Sequence, residues 1–335
     1  MNIRTFAVVA GIAFGSISGA AVADNVGALS AEQSTMIDLG GHEVPVLKGG
    51  LYDRYRSNPP LSVVEQERPD IDLSWFKTLS KSKVDMGFKS WSPNFYYQNS
   101  RTTAVFTADI NKLRELMPAE VLEQVQPLQI WPGRGVVALT AYTYFYCDND
   151  SYNEIALSVI TNKPGHSSFG PLTLAGQSMN HDFWGYVLKL PVNTELARVR
   201  GVVGYNLPKW KTDINLRETN DSVIYEVMDA DTGKVDFVFE TEKLTDLSSE
   251  PQYARNSYTN LNHQGELSTG YADSVQTSYA STSDSDAVKL QLSDGSFSRY
   301  IKALDLGKMM KYEYVPEFQV ALYAPQTLKR YLASE

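Results

Sequence analysis

One lysine lies where it could act as a nucleophile. Lys209 stands between Pro208 and Trp210, directly after the apolar segment 198–207, which contains two glycines. An ammonium group that enters apolar surroundings loses hydration, which lowers the pKa of a lysine and yields a neutral amine able to attack a carbonyl carbon. The product of that attack would be an imine. The alternative is a lysine that extends along an apolar surface and keeps its charge in water.

The segment before Lys209 is predicted to be a strand. Residues 199–203 form a short apolar run, and glycine within a strand often marks the close approach of another group. We therefore expect a substrate or a second strand to lie close to Gly201 or Gly204. Alternate side chains of an extended chain share a face, so Lys211 would lie on the same side as Lys209.

No other motif supports a competing chemistry. Residues 165–170 resemble a nucleophile elbow, but the second glycine comes one residue too late for G-x-S-x-G, and Pro171 follows it. Ser80 and Lys83 have the S-x-x-K spacing without the S-D-N and K-T-G partners of a β-lactamase-like enzyme. No phosphate-binding glycine motif occurs, and no metal-binding pair is formed by the histidines His42, His166, His181 and His263. We therefore expect neither a metal nor another cofactor.

The composition argues against nucleic-acid binding. The 335 residues include 30 Lys and Arg against 39 Asp and Glu, a formal charge of −9, whereas proteins that bind nucleic acids need clustered cations to neutralise phosphates. Hydrophobic residues make up 43% of the chain, which is enough for a substantial core. The single cysteine, Cys147, excludes an intramolecular disulfide.

The first 23 residues predict export. Arg4 precedes the apolar run 6–14, and small residues lead to Ala21 and Ala23, a pattern typical of a signal peptide cleaved after Ala23. A membrane anchor is the alternative, but the run is too short to cross a bilayer, and no later segment approaches ~18 apolar residues. We expect a protein without a membrane span, in the periplasm or secreted.

The elements that must position Lys209 are mostly strands. Residues 136–146 alternate, with Leu139 and Ala141 on one face and Tyr142 and Tyr144 on the other. Residues 223–228 and 235–240 flank a glycine-containing turn and predict a hairpin. Residues 248–286 are polar and predict a surface excursion or an edge hairpin with few core contacts. Helices are expected at 109–118 and 324–332. The pattern favours an α+β fold with a mainly antiparallel sheet.

Two regions follow from this pattern. Residues 24–93 carry repeated Gly and Pro interruptions and predict an N-terminal extension wrapped on the main body. Residues 94–335 form the main domain, whose size suits a single β-rich unit.

The segment at Lys209 resembles acetoacetate decarboxylase and its wider superfamily. That family carries a glycine-containing strand that ends in Tyr-Pro-Lys-Lys, and residues 207–210 here read Leu-Pro-Lys-Trp. The similarity continues in the same order along residues 94–332. The corresponding segments are Thr107-Ala108-Asp109 with Leu113-Arg114 and Met117-Pro118, Ser151-Tyr152-Asn153-Glu154, residues 288–292, and Tyr323-Ala324-Pro325. The resemblance implies a closed β-barrel or cone with a few flanking helices and, in many members, a homo-oligomer.

The resemblance also implies roles for individual residues. Lys209 matches the lysine that forms the Schiff base, and Glu154 matches a glutamate close to the reacting atoms. The family's second lysine is replaced by Trp210, although Lys211 lies two residues on. Its other glutamate has no counterpart in residues 136–146. An arginine of the family matches Arg101 with a small register shift.

Substrate contacts are assigned to five side chains. The cavity is expected to contain the residues Arg101, Tyr142, Tyr144, Tyr205 and Trp210. The strand tyrosines have an alternative role as core residues, since buried tyrosines commonly pack there.

The resemblance and the departures from it leave three hypotheses. The first is an exported lyase in which Lys209 forms an imine with a small 3-keto acid or related carbonyl compound, so that carbon dioxide or a proton can leave. The second is a noncatalytic protein that binds a small molecule on the same barrel. The third keeps the imine but catalyses aldol condensation or dehydration.

Overall fold

The computed structural model describes residues 26–262 and 264–334. The predicted signal peptide at residues 1–23 therefore lies outside the described residues. The strands are β1 (Ser34–Asp38), β2 (Glu43–Leu47), β3 (Ser82–Asp85), β4 (Lys89–Ser92), β5 (Asn94–Asp109), β6 (Arg134–Cys147), β7 (Tyr152–Ile160), β8 (Asp182–Val192), β9 (Lys209–Lys211), β10 (Ile214–Glu218), β11 (Ser222–Met228), β12 (Val235–Glu242), β13 (Gln252–Leu261), β14 (Leu267–Thr282), β15 (Val288–Leu292), β16 (Met309–Leu322) and β17 (Gln326–Thr327).

Short helices connect and cover these strands. The α-helices are α1 (Leu51–Tyr55), α2 (Leu61–Glu67), α3 (Ile110–Leu116), α4 (Ala119–Leu122), α5 (Pro171–Asn180), α6 (Glu195–Val199), α7 (Ser296–Ala303) and α8 (Leu328–Leu332). Single 3₁₀ turns occur at Phe76–Thr78 and Ser285–Ala287, and a π-helical turn occurs at Arg200–Gly204. Within the described residues, no helix is both long and apolar enough to cross a membrane.

Seven strands of the described chain close into a barrel. Their order is β13-β14-β16-β5-β6-β7-β8, and the parallel pairing of β8 with β13 closes the circle. The other neighbours in the barrel are antiparallel, and β9 extends β8 in parallel. The predicted α+β barrel is therefore confirmed.

A second sheet covers one side of the barrel. Its strands run in the order β10-β11-β12-β15, and they include the predicted hairpin, whose strands β11 and β12 pair across the turn that contains Gly233 at φ 65°. Tyr225 and Phe239 of this sheet pack in one core cluster with Leu139 and Ala141 of β6. The outward face of β6 is thus buried between the two sheets.

The alternation predicted for β6 is confirmed. Leu139 and Ala141 point outward into the core, whereas Tyr142 and Tyr144 line a cavity inside the barrel. Because strand side chains alternate, the same strand serves the hydrophobic core with one face and the cavity with the other.

The hairpin predicted as one alternative for residues 248–286 is present, but its predicted placement at the edge or surface was wrong. Strands β13 and β14 are a barrel hairpin rather than a surface excursion, and they supply Asn256, Ser257 and Ser274 to the cavity wall. Their polar composition reflects the lining of an interior space, which a sequence pattern does not distinguish from exposure to solvent.

One predicted helix is confirmed and the other begins late. Asp109 caps α3, since its Oδ1 accepts hydrogen bonds from the backbone N–H groups of Asn111 and Lys112 at 2.9 and 3.1 Å. The terminal helix starts at Leu328 because residues 326–327 pair with β14 and Thr327 provides the N-cap. Helices α5 and α7 were not predicted from the sequence.

Residues 26–92 pack on the barrel through two apolar clusters. One cluster joins Tyr52 and Phe88 to Val199 of α6, and the other joins Phe76 to Phe95 of β5. Buried acids reinforce this contact just beyond the end of β6. Asp148 accepts an ion-paired hydrogen bond from Lys81, one from the backbone N–H of Phe95 and one from the hydroxyl of Tyr97.

Asp150 ties the extension to the same turn and makes stability depend on pH. It accepts hydrogen bonds from the backbone N–H groups of Leu47 and Tyr52, at 3.1 and 3.3 Å. Burial raises the pKa of Asp150 to about 6, although these hydrogen bonds oppose the shift. Protonation of Asp150 therefore stabilises the fold. This contribution has its full value below the usual carboxyl pKa and is lost as the pH rises through about 6.

We expect Asp150→Asn to remove this dependence. Between about pH 4 and pH 7.5, the free energy of unfolding of the wild type should fall by about 2 to 3 kcal/mol relative to the variant. Asparagine also tolerates the φ of 58° at this position. Urea unfolding across this pH range measures the difference, with the exposed Asp231→Asn as control. Parallel pH profiles for wild type and Asp150→Asn would contradict the assignment.

Candidate active site

Lys209 and Glu154 form a buried ion pair inside the barrel. The distance from Lys209 Nζ to Glu154 Oε2 is 2.5 Å, and the two side chains are 7% and 8% exposed. Strand register explains the contact. On β8, Leu190 pairs with Lys209 and Val192 pairs with Glu154, so all four side chains lie on the same face of the sheet. Two residues that are 55 positions apart are thereby fixed within reach of a proton transfer.

The prediction of a strand before Lys209 was wrong. Residues 195–199 form helix α6, and Arg200–Gly204 continues it as a π-helical turn. The sequence did predict a close approach at glycine, and the approaching group is Lys209 itself. A Cβ placed on Gly201 would lie 2.6 Å from Cε and 2.9 Å from Cγ of that lysine. Gly201 therefore leaves the space through which the lysine side chain reaches the cavity.

We expect Gly201→Ala to displace the amine from Glu154. A misplacement of about 1 Å at a reacting group can cost about 100-fold in rate, so the rate at which Lys209 reacts with an added carbonyl compound should fall at least about tenfold. Gly204→Ala is the matched control, because its added methyl group would meet Phe88 and Met86 instead. Reductive trapping with borohydride compares the two variants. Equal trapping rates would contradict a positioning role for Gly201.

Tyrosines surround the ion pair. The hydroxyl of Tyr144 donates to Glu154 Oε1 at 3.3 Å, and Lys209 Nζ lies 5.4 Å from the centre of the Tyr152 ring. Tyr152 in turn lies within hydrogen-bond distance of Tyr96, with 3.3 Å between the two hydroxyls. Burial raises the pKa values of Tyr144 and Tyr152, with Glu154 adding to both shifts, so these hydroxyls stay protonated at neutral pH and can donate.

Arg101 lines the same cavity, as predicted, but it already has a partner. Its guanidinium lies 2.6 Å from Glu313 of β16 and donates to Thr103 Oγ1 at 2.8 Å. Burial opposes ionisation of Glu313, but the charges of Arg101 and Lys311 outweigh it, so the pKa of Glu313 is lowered. Glu313 was not predicted, because no motif in the sequence pointed to it.

Two predicted contact residues lie elsewhere. Trp210 points away from Lys209, as alternation along β9 requires, and packs on Phe297 with ring centroids 5.6 Å apart. Tyr205 is buried behind the cavity wall, where its hydroxyl accepts a hydrogen bond from Asn94 Nδ2 at 2.7 Å. Lys211 is exposed and borders a different surface pocket, although it shares the strand face of Lys209. Of the five predicted contacts, Arg101, Tyr142 and Tyr144 line the cavity.

The cavity has two adjacent chambers that share part of their lining. The inner chamber, of about 220 Å³, contains Lys209, Glu154 and Tyr144. The outer chamber, of about 290 Å³, contains Glu313 and Gln276. The residues that line both are Arg101, Ala138, Thr140, Tyr142, Ile160, Phe183 and Asn256. In the described part of the chain, no three His, Cys, Asp or Glu side chains are grouped to hold a metal ion.

Comparison with known proteins identifies the fold. No protein-family model matches the sequence, and no curated protein is significantly similar to it. The structure is similar to acetoacetate decarboxylase from Legionella pneumophila, with 12% identity, a TM-score of 0.52, and coverage of 70% of this chain and 87% of that chain.

A second solved enzyme is similar to the same extent. It is the enduracididine biosynthesis enzyme MppR, seen with pyruvate at 12% identity and with the condensation product of pyruvate and imidazole 4-carboxaldehyde at 11% identity. Both comparisons have a TM-score of 0.51; they cover 72% and 71% of this chain and 92% and 90% of the MppR chain. The chain therefore has the same barrel fold as these two enzymes.

Proposed function

We propose that this protein is an exported enzyme in which Lys209 forms a Schiff base with a keto acid or related carbonyl compound. The single observation that carries the proposal is the buried contact of 2.5 Å between Lys209 Nζ and Glu154, inside a cavity that a small molecule can enter. Buried charged pairs within a cavity are characteristic of functional sites.

The proposed reaction begins with proton transfer. Glu154 accepts a proton from Lys209 Nζ, and the neutral amine attacks the ketone carbon of a 3-keto acid to give a carbinolamine. Loss of water, with a proton returned by Glu154, leaves the protonated imine. The bond to the carboxylate carbon then breaks, carbon dioxide departs, and its electron pair passes into the imine to form an enamine. Protonation at carbon and addition of water release the ketone and restore Lys209.

The neighbouring side chains suit this series of reaction steps. Tyr144 donates to Glu154 and holds the carboxylate toward Lys209. Tyr152 places an aromatic face 5.4 Å from Nζ, where it can stabilise the cationic imine. Trp210 faces away and Lys211 is exposed, so proton transfer to Glu154 takes the place of a second lysine in this proposal.

The structural comparisons support this chemistry as a proposal. The proteins that share the fold include an acetoacetate decarboxylase and an enzyme seen with pyruvate. Export is proposed from the N-terminal sequence alone, in which an apolar run and Ala21-Val22-Ala23 form a cleavable signal pattern.

A second candidate is condensation of a keto acid with an aldehyde. The outer chamber favours it, because a space of about 290 Å³ beyond Arg101 could hold a second reactant. The enamine formed on Lys209 would then attack the aldehyde carbon instead of a proton. A structure of MppR with the product of such a condensation provides a precedent on this fold.

Isotope exchange tests the imine directly. Formation and hydrolysis of an imine replace the ketone oxygen by one from water, so acetoacetate or pyruvate in ¹⁸O-labelled water should acquire label with the enzyme. Release of carbon dioxide from acetoacetate distinguishes decarboxylation from exchange alone, and pyruvate with an aldehyde tests condensation. Binding of these compounds without exchange would instead support a noncatalytic binding protein.

A further inference from the structure

We propose that the substrate is an elongated carbonyl compound, whose reactive end lies at Lys209 and whose uncharged tail occupies the outer chamber. This inference rests on the proposed function and changes its substrate class. A small 3-keto acid would fill only the inner chamber, whereas a longer acid would also bury its tail in the outer one.

The two chambers form one path through the barrel. Tyr142 and Arg101 border both of them, so the space at Lys209 adjoins the space at Glu313, and we infer that the two are continuous. On β6, Tyr144 contacts Glu154, and Ala138, six residues away on the same face, borders both chambers. At ~3.4 Å per residue this stretch of strand spans about 20 Å. An extended molecule can therefore lie along β6.

The charges along the path favour an uncharged tail. Arg101 is neutralised by Glu313 at 2.6 Å, and both side chains are largely buried. Lys311 lies 3.3 Å from the same carboxylate, but its side chain is 54% exposed, so water screens its charge. A terminal carboxylate would have to displace Glu313 from Arg101, or lie beside it. Neither arrangement is favourable in a partly buried site, where unpaired charge is costly.

The outer chamber combines apolar surface with a few polar groups. Its apolar lining includes Val105, Leu174, Ala254 and Met310. Gln276 also borders it, is 3% exposed, and has a carboxamide oxygen without a hydrogen-bond partner. Apolar walls with few polar groups are typical of pockets for organic ligands, which usually have volumes of ~300–1,000 Å³. The combined space suits a molecule larger than acetoacetate.

Straight-chain 3-oxo acids of four, six and eight carbons test this proposal. Each buried methylene should improve binding by up to about fourfold, so the concentration that half-saturates borohydride trapping should fall at least about tenfold from the four- to the eight-carbon acid. The eight-carbon acid with a terminal carboxylate should lose that gain.

Filling the outer chamber provides the matched test. In Ala254→Phe, the half-saturating concentration of the eight-carbon acid should lie within about twofold of that of acetoacetate. The value for acetoacetate itself should be unchanged, because the two chambers bury different parts of the ligand. Ala175→Phe, on the exposed face of α5, is the control and should change neither.

A readout without covalent chemistry separates this inference from the proposed function. In Lys209→Met no imine can form, yet quenching of tryptophan fluorescence should rank the three acids in the same order, because Trp184 lines the cavity. If this preference persists while the wild type gives no adduct, the proposed function fails and the elongated site stands. Equal binding of all three acids, or equal effects of Ala254→Phe on short and long ones, would overturn the inference.

Discussion

Replacing Lys209 by methionine is expected to reduce turnover and oxygen exchange to the rate of the uncatalysed reaction. The thioether cannot form an imine, so every later step is lost. Lys211→Met is the matched control, because this lysine lies on the same strand but is exposed and outside the cavity. Substrate turnover and ¹⁸O exchange measure both effects. Retained exchange in Lys209→Met would exclude Lys209 as the nucleophile.

This substitution needs a control for folding. Removing one member of a buried ion pair leaves the other charge uncompensated, which typically costs about 3–5 kcal/mol. The double variant Lys209→Met/Glu154→Gln removes both charges and should be more stable than Lys209→Met alone. Loss of activity in the double variant, with a cooperative thermal transition, separates lost chemistry from lost structure.

Glu154→Gln is expected to lower kcat by about 100-fold or more. A positioned acid or base contributes about 10² to 10⁴ in rate, and the amide keeps the size of the side chain but can no longer take the proton of Lys209. Because Lys209 remains, an adduct should still form slowly and be trapped by borohydride. The variant thus separates proton transfer from covalent attachment.

The measurement needs a control glutamate. Glu317→Gln, at an exposed position on β16, should leave kcat within about twofold. Full activity of Glu154→Gln, equal to that of Glu317→Gln, would contradict the proposed role of Glu154.

The sequence predicted the residues Lys209 and Glu154 better than it predicted the elements around them. Lys209 and Glu154 were assigned through short motifs whose order resembles a known family, and the register of β7, β8 and β9 brings them into contact. Alternation along β6 predicted which face bears Tyr142 and Tyr144, because period-2 patterns follow directly from strand geometry. These inferences depend on local spacing, which the sequence contains.

The errors arose where tertiary structure decides the outcome. Residues 199–203 form an apolar run that contains a glycine, so they resemble a strand, yet they lie at the end of α6 and in a π-helical turn that makes room for Lys209. The polar strands β13 and β14 resemble solvent-exposed segments, although they face the cavity. Glu313 meets Arg101 only because β16 pairs with β5, a contact between residues more than 200 positions apart.

The cavity suggests how the site differs from one that uses two adjacent lysines. Residue 210 is a tryptophan that belongs to the core on the other side of the sheet, so no second cation is delivered there. The nearest acid, Glu154, is instead in direct contact with Lys209. In the proposed reaction, proton transfer from Lys209 to Glu154 therefore generates the nucleophile.

Trapping of an imine shows whether Lys209 is the nucleophile. The protein is incubated with acetoacetate, pyruvate or the eight-carbon 3-oxo acid, reduced with borohydride, and digested for peptide mass mapping. We expect a stable adduct on the peptide that contains Lys209, absent from Lys209→Met and present in Lys211→Met. An adduct on another lysine, or none with any of these compounds, would contradict this role of Lys209.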